Sequence, residues 1–374
     1  MTTYLDMNAT TPVMPEVANL VMKMLTEEFG NAGSRTHEFG TNAKRAVELA
    51  RKQVADVVLA DKSEVIFTSG ATESNNIAIL GMRTYAELEN KKHIITTRIE
   101  HKAVLEPIEY LSNNGFEVSY LEVGETGVVN PEDLRHMLRA DTVLVSIMHV
   151  NNETGSIQPI AEICDVLSEH EAYLHVDAAQ SFGKLTDALV NERIDLISAS
   201  GHKVYAPKGI GALVMRRRGF IRPPLKPIMY GGGQEKGLRP GTLAVPLIAG
   251  FGLACEIAHK KSREWQKYAQ DLKSRFVSEL GNLGAQINGE NASPFVLNFS
   301  IPGVNSEAAI VMLKGVVAVS NGSACTSSSY TPSHVLTAMG LDSKRIEGAI
   351  RMSWGHMTDD VPLSQVSEKI KQLI

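Results

Sequence analysis

The chain has 374 residues, of which 43% are hydrophobic and 21% are charged, and its formal net charge is −5. This composition is typical of a globular protein with a substantial core, and the length favours one large domain with a smaller one. The negative charge gives no electrostatic argument for direct binding to nucleic acid or to a membrane, and no apolar run reaches the roughly 18 residues that a membrane span needs.

In chain order, the first two thirds of the sequence alternate between predicted strands and helices. The pattern predicts strands at 64–68, 93–97, 142–150, 173–176, 194–199 and 209–215. It predicts a first helix that starts near residue 15, and further helices at 41–59, 75–87, 160–170 and 247–261. Pro107 lies inside a helical pattern and should kink that helix or mark its true start. Such alternation is typical of an α/β domain.

The composition changes near residue 260, and the remaining chain predicts a smaller α+β unit. Its predicted helices are 264–280, 306–314, 333–339, 345–348 and 363–374. Its predicted strands are 295–300, 316–320 and 349–353. A Gly/Ser-rich loop at about 321–332 separates two of these elements.

Three polar residues follow the central strands 173–176 and 194–199, which read as buried and parallel. Asp177, Gln180 and Lys203 should therefore meet at the carboxyl edge of the sheet, where open α/β sheets bind ligands. A lysine and an aspartate in this arrangement suit pyridoxal 5'-phosphate, which needs a Schiff-base amine and a carboxylate at its pyridine nitrogen. A surface lysine and a helix-capping aspartate are the alternative interpretation.

Other loops reach the same edge. The turn of residues 69–74 follows a strand and precedes a helix predicted from Asn75, so it could bind a phosphate or form an ordinary helix cap. His101 also follows a strand end, where a structural histidine is the alternative. His175 and Asp177 could supply half of a metal site, but no third ligand stands at a suitable spacing. The glycine-rich segment 231–242 could be a linker or a loop that reaches a ligand.

The three cysteines do not form a disulfide framework, which favours a reducing cytoplasm, and the first six residues carry no signal-peptide pattern. Cys164 and Cys255 fit the apolar faces of predicted helices and should be core residues. Cys325 lies among Gly and Ser residues without apolar periodic neighbours. This setting predicts an exposed, functional thiol, with an incidental surface cysteine as the alternative.

At this point the sequence resembles the PLP-dependent cysteine desulfurases of iron–sulfur assembly, from Tyr4 to about Trp354. The matching motifs are Ala9-Thr10-Thr11-Pro12, Thr68-Ser69-Gly70-Ala71-Thr72-Glu73-Ser74, Glu100-His101-Lys102, His149-Val150-Asn151-Asn152-Glu153, Ser200-Gly201-His202-Lys203 and Gly322-Ser323-Ala324-Cys325-Thr326-Ser327. The resemblance implies a type I PLP-dependent transferase fold, similar to aspartate aminotransferase. We expect a large PLP-binding domain over 13–260, and a small domain of 1–12 and 261–374 that carries the cysteine loop.

The resemblance also implies roles for individual residues. Lys203 would hold the cofactor and move protons, Asp177 would bind the pyridine nitrogen, Gln180 would bind the ring oxygen, and His101 would stack on the ring and assist proton transfer. The phosphate would be held by Ala71, Thr72, Ser200 and His202, and by Thr242 of a neighbouring subunit, which implies a homodimer. Asn152 would position cofactor and substrate, and Arg351 would pair with the substrate carboxylate. Met7-Asn8 and Pro240 depart from the common family pattern.

The implied activity converts L-cysteine to L-alanine and leaves the sulfur on Cys325 as a persulfide for a sulfur-acceptor protein. Another type I PLP enzyme, such as a selenocysteine lyase or an aminotransferase, is an alternative, although an aminotransferase needs no such thiol. A sulfur-relay scaffold without catalysis, or an unrelated α/β binding protein, is a further alternative, and the set of Lys203, Asp177 and Cys325 argues against both.

The C-terminus of the sequence leads to an expectation about the sulfur-acceptor protein. The sequence ends at Ile374, whereas housekeeping members of the resembling family continue and use that tail to dock the iron–sulfur scaffold. We therefore expect a dedicated acceptor and a specialised pathway, DNA phosphorothioation among the candidates. Any nucleic-acid role would run through that partner.

Overall fold

The computed structural model describes residues 2–322, 331–358 and 361–374. The strands are Thr3–Tyr4 (β1), Val65–Thr68 (β2), His93–Thr97 (β3), Glu117–Leu121 (β4), Thr142–Ser146 (β5), Tyr173–Asp177 (β6), Leu196–Ser200 (β7), Gly211–Met215 (β8), Gln286–Ile287 (β9), Val296–Ser300 (β10), Val317–Ala318 (β11) and Ala349–Ser353 (β12). The helices are Pro15–Thr26 (α1), Glu38–Asp56 (α2), Ala71–Leu80 (α3), Arg83–Leu88 (α4), Lys102–Ser112 (α5), Pro131–Met137 (α6), Ile160–Val166 (α7), Val245–Gly281 (α8), Ser306–Leu313 (α9), His334–Ala338 (α10), Ser343–Glu347 (α11) and Leu363–Lys371 (α12).

A seven-stranded sheet forms the centre of the molecule, in the order β2-β8-β7-β6-β5-β3-β4. The five strands from β7 to β4 are parallel, while β8 runs antiparallel to both of its neighbours. All residues of β5, β6 and β7 are buried, as expected for parallel strands covered on both faces. The predicted large, mainly parallel sheet is therefore confirmed.

The N-terminal strand joins the C-terminal part of the chain. β1 pairs in parallel with β11, and β12-β10-β9 form an antiparallel sheet. A bridge between Asp6 and Ser353 continues this contact. Residues 2–6 thus pack with the C-terminal region, although the division into two domains near residue 260 stays a prediction.

One prediction in this region was wrong: the helices expected at 247–261 and 264–280 are a single helix, α8, of 37 residues. The joining residues Ser262 and Arg263 include no proline or glycine, so nothing interrupts the backbone hydrogen bonds there. Ala258 and Trp265 are both buried on either side of the join, and the packed face therefore runs on through it.

Other boundaries also differ from the sequence prediction. The helix expected at 75–87 begins at Ala71 and is interrupted after Leu80. The next residue, Gly81, is closely packed: a Cβ added there would lie 2.3 Å from the Ile77 carbonyl oxygen. Helix α5 begins at Lys102, so Pro107 lies inside it and does not mark its start. The strand expected at 142–150 is shorter in the structure, where β5 ends at residue 146. The sequence pattern predicted neither β4 nor α6.

Cys164 and Cys255 are buried free thiols in α7 and α8, which confirms their placement in the core. Burial raises the pKa of the Cys164 thiol to about 12, so this group stays protonated at neutral pH. Within the described residues, no helix combines the length and the apolar character needed to cross a membrane.

The contact between α2 and α8 provides a stability test. A Cβ added at Gly252 would lie 2.5 Å from Ala50 Cα, whereas a Cβ at Gly281, at the end of the same helix, meets no described atom within 4 Å. We expect Gly252→Ala to destabilise the protein by about 1–3 kcal/mol through overpacking. Gly281→Ala should be neutral or stabilising by up to about 1 kcal/mol through helix propensity. Urea unfolding followed by circular dichroism measures both; equal midpoints for the two variants would contradict this packing.

Candidate active site

A cavity of about 590 Å³ lies at the carboxyl edge of the parallel strands. Its lining includes many of the predicted site residues: Ala71, Thr72, His101, Asn152, Asp177, Gln180, Ser200, His202, Lys203 and Arg351. These residues come from turns that follow different strands, and one comes from β12 in the C-terminal region. A larger neighbouring groove of about 1030 Å³ shares Lys208 with this cavity, but none of its described lining residues is a predicted site residue.

Lys203 lies at the end of a short 3-10 helix that follows β7. Its Nζ donates hydrogen bonds to the carbonyl oxygens of Asn8 and Ala9, the second at 2.8 Å. Burial, together with the positive charges of Arg351 and Lys184, lowers the pKa of this amine to about 7. A lysine in this setting exchanges its proton near neutral pH, as a proton-transfer group must.

Asp177 is the last residue of β6 and is 5% exposed. Its Oδ2 accepts a hydrogen bond from Asn75 Nδ2 at 2.8 Å, and its Oδ1 accepts one from the Ala179 N–H at 2.9 Å. Two donors fix the plane of the carboxylate while each oxygen keeps a lone pair for a further donor. Asn75 was not singled out from the sequence, because an asparagine within a helix carries no signal of a distant partner.

The turn before α3 has the form of an anion site. The helix begins at Ala71, with Gly70 as its N-cap and no side chain in the capping position, so its first backbone N–H groups face the cavity. The turn packs closely on the sheet: a Cβ at Gly211 would lie 2.6 Å from Gly70 Cα. Ser200 and His202 line the same end of the cavity. Burial and then the charge of Lys203 lower the pKa of His202 to about 4.

His101 caps α5, and its Nδ1 accepts a hydrogen bond from the Ala103 N–H at 3.0 Å. This contact leaves Nε2 as the protonated nitrogen of the neutral ring. Burial lowers the pKa of His101, so the neutral form is favoured. The preceding residue, Glu100, is fully buried; its Oε1 accepts from the Met148 N–H, and burial raises its pKa to about 8.

Several polar atoms that line the cavity are buried and have no partner among the described residues. They are Asn75 Oδ1, Asn152 Oδ1, Gln180 Oε1 and Arg351 Nε. Unpaired buried polar atoms are costly, so their concentration in one cavity indicates a polar ligand. Gln180 also donates from Nε2 to Asn8 O at 3.0 Å and keeps its second amide hydrogen for another oxygen.

Arg351 lies in β12 with its side chain 3% exposed. Nη2 donates to Asp6 Oδ1 at 2.7 Å, and Nη1 donates to Asn152 O at 3.0 Å. Asn152 O also accepts from Asn8 Nδ2 at 3.1 Å. No role for Asp6 or Asn8 followed from the sequence, because their partners are about 150 to 350 residues away.

One predicted site residue that the structure describes is not in the cavity lining. Thr242 is exposed and does not line the cavity of its own chain. Cys325 lies outside the described residues, so its predicted role stays a prediction. His175, considered as half of a metal site, uses both ring nitrogens in hydrogen bonds with Ser146 and Ser198 hydroxyls at 2.8 and 3.0 Å. The described residues include no cluster of three or more His, Cys, Asp or Glu suited to a metal ion.

The donor set fits pyridoxal 5'-phosphate. A helix N-terminus with hydroxyl and imidazole neighbours suits a dianionic phosphate, a fixed carboxylate suits a pyridinium N–H, and a lysine with a lowered pKa suits a carbonyl carbon. The unpaired amide atoms of Asn75, Asn152 and Gln180 are the contacts that a ring with polar substituents would complete.

Comparisons with known proteins identify the family. Residues 3–364 match the model described as aminotransferase class-V. The chain is 45% identical over 373 residues to the cysteine desulfurase IscS of Vibrio campbellii, covering 98% of this chain and 91% of the relative. It superimposes on DndA from Streptomyces lividans with a TM-score of 0.82 and 51% identity, covering 94% of this chain and 99% of DndA.

A third likeness is to a structure of SspA in complex with cysteine, with a TM-score of 0.83 and 38% identity over 94% of this chain and 98% of that one. The matches to the family model and to the IscS relative both span almost the whole chain, so they cover the cavity and the turns that build it. The chain belongs to the class-V aminotransferase family and is a cysteine desulfurase that depends on pyridoxal phosphate.

Proposed function

We propose that this desulfurase converts L-cysteine to L-alanine and holds the sulfur as a persulfide on Cys325 for transfer to an acceptor protein. The observation that carries the proposal is the position of Lys203, Asp177 and Arg351 around one cavity. The likeness to SspA, whose structure contains cysteine, supports the choice of substrate.

Lys203 and Asp177 are assigned to the cofactor. When bound, pyridoxal phosphate supplies an electron-accepting ring next to the substrate α-carbon. Lys203 Nζ holds the cofactor before substrate arrives and then moves the α-proton, which its pKa of about 7 permits at neutral pH. Asp177 holds the proton of the pyridine nitrogen, since a carboxylate fixed by Asn75 and the Ala179 N–H favours that charge.

The remaining assignments follow the chemistry of each side chain. Ala71, Thr72, Ser200 and His202 bind the phosphate, and Gln180 binds the ring oxygen. His101 stacks on the ring and assists proton transfer through Nε2. Asn152 positions cofactor and substrate, while Arg351 binds the substrate carboxylate and still has an unpaired Nε–H for it.

The sulfur step is balanced without a further oxidant or reductant. The Cys325 thiolate attacks the substrate sulfur, an S–S bond forms, and the Cβ–S bond of the substrate breaks. The electron pair of that bond returns to Cβ, which takes a proton, and L-alanine leaves. The net change is L-cysteine plus a protein thiol giving L-alanine plus a protein persulfide.

We further propose that the enzyme acts as a homodimer in which Thr242 reaches the phosphate of the neighbouring subunit. Thr242 is exposed, and so are the large side chains of Ile228, Met229 and Tyr230, which directly precede the glycine-rich segment. Such a patch suits burial against a second copy. A cytoplasmic location is also proposed, supported by the free thiols of Cys164 and Cys255.

The acceptor is proposed to be a dedicated partner in a specialised pathway, with DNA phosphorothioation as the candidate. The identity to DndA, 51%, exceeds the identity to the IscS relative, 45%, which supports this choice. The net charge of −5 gives no electrostatic argument for direct DNA binding by this subunit, so the partner would make that contact.

The cofactor assignment predicts that Lys203→Ala removes the visible absorption of the lysine-linked cofactor and abolishes alanine production. Lys260→Ala, at an exposed position on α8, is the matched control and should keep both. Absorption spectra of the two purified variants provide the measurement. A Lys203→Ala protein with the spectrum and turnover of the parent would refute the assignment.

The nucleophile assignment predicts that Cys325→Ser still binds the cofactor and L-cysteine but yields no protein persulfide. Cys164→Ser and Cys255→Ser are the controls, because both thiols are buried in the core. Mass spectrometry of the protein after one turnover detects the added sulfur. Loss of persulfide in a control variant, with its retention in Cys325→Ser, would show that the nucleophile is misassigned.

The acceptor proposal predicts faster sulfur transfer to the dedicated partner than to the general iron–sulfur scaffold. Persulfide-loaded enzyme is mixed with each protein in separate reactions, and the decay of the radiolabelled persulfide is followed. Transfer to the general scaffold that is both faster and tighter would contradict the specialised pathway and would leave the desulfurase activity itself unaffected.

A further inference from the structure

One short turn near the N-terminus contacts two of the basic side chains that line the cavity, Lys203 and Arg351. The Ala9 N–H donates to Asp6 O at 2.9 Å and closes the turn. The carbonyl oxygens of Asn8 and Ala9 accept from Lys203 Nζ, and the Asp6 carboxylate accepts from Arg351 Nη2. Four consecutive residues therefore fix the positions of the amine and the guanidinium relative to each other.

The contact of Asp6 with Arg351 is an ion pair in a largely buried setting. The two side chains are 20% and 3% exposed, and the N···O distance is 2.7 Å. A buried guanidinium cannot lose its proton, so its charge and its planar set of donors require partners. Its other partners are the neutral carbonyl oxygens of Asn152 and Gly322, at 3.0 and 3.4 Å. Asp6 is thus its partner of opposite charge among the described residues.

Asp6 itself does not line the cavity, whereas Arg351 does. Asp6 therefore contacts the cavity lining through the Arg351 guanidinium, to which its carboxylate is bound. An α-amino acid carries its carboxylate and its reacting hydrogen on the same carbon atom. The guanidinium that binds the carboxylate and the amine that removes the hydrogen must therefore lie at a fixed distance from each other.

We propose that Asp6 is a positioning residue for the substrate carboxylate: it orients the Arg351 guanidinium so that Nε and the remaining donor edge face an α-amino acid in the cavity. The inference rests on the proposed role of Arg351. It predicts that Asp6 affects ligands with an α-carboxylate and leaves ligands without one unaffected.

The experiment compares two unreactive ligands of the holoenzyme by absorption titration. S-methyl-L-cysteine has the α-carboxylate, and 2-(methylthio)ethylamine is the same molecule without it. The ratio of their dissociation constants reports the carboxylate contact and cancels any general damage to the fold or to the bound cofactor.

Asp6→Ala should reduce the preference for the carboxylate ligand by about tenfold, which corresponds to about 1.4 kcal/mol. Asp6→Asn keeps an oxygen for Nη2 and should stay within about threefold of the parent ratio. Asp56→Asn removes an exposed ion pair with Lys52 and should leave the ratio unchanged. In an Arg351→Met background, which lacks the charge and the donors, Asp6→Ala should have no further effect on the ratio, because its action on the carboxylate passes through Arg351.

An unchanged ratio of dissociation constants in Asp6→Ala would overturn the inference. Tighter binding of the carboxylate ligand by Asp6→Ala would also overturn it, because that result would show that Asp6 competes with the substrate for Arg351. The Arg351→Met variant, which removes the charge and every donor, separates this failure from that of the proposed role of Arg351. If Arg351→Met lowers the ratio and Asp6→Ala does not, the role of Asp6 alone is wrong. If neither changes it, Arg351 does not bind the carboxylate and both assignments fail.

Discussion

The site depends on holding two basic side chains beside one cavity, the half-buried Lys203 and the buried Arg351. Each needs oxygen partners, since an unpaired buried charge is unstable. The turn of residues 6–9 supplies partners to both. This is possible only because the N-terminal segment crosses from the C-terminal sheet, where Asp6 bridges Ser353, to the end of β7, where the Thr11 N–H donates to His202 O.

The same logic separates structural from functional polar groups. His175 and His93 are buried, yet each has serine or threonine hydroxyl partners on both ring nitrogens, so they complete their own hydrogen bonds within the sheet. Around the cavity, amide and guanidinium atoms remain without partners. Buried polar atoms without partners are unfavourable, but a ligand that binds in the cavity can complete their hydrogen bonds. A polar site is preorganised in this way before its ligand binds.

Gly322 and Ser333, described residues on either side of 323–330, lie close to the same buried glutamate. Ser333 Oγ donates to Glu153 Oε2 at 2.5 Å, and a Cβ at Gly322 would lie 3.3 Å from that same oxygen. Gly322 O also accepts from Arg351 Nη1. Gly322 therefore contacts the arginine proposed to bind the substrate, and Ser333 shares the glutamate next to it.

The sequence by itself determined the alternation of buried strands and helices, the parallel pair before Asp177 and Lys203, and the motifs that place polar residues after strand ends. These are local patterns: apolar runs, turn residues and short spacings, and each depends on residues close together in the chain. The contacts of Asn75, Asp6 and Asn8 were decided only by the tertiary structure. Their partners lie about 100 to 350 residues away, and no local pattern encodes which distant carbonyl or carboxylate will lie within 3 Å once the sheet has formed.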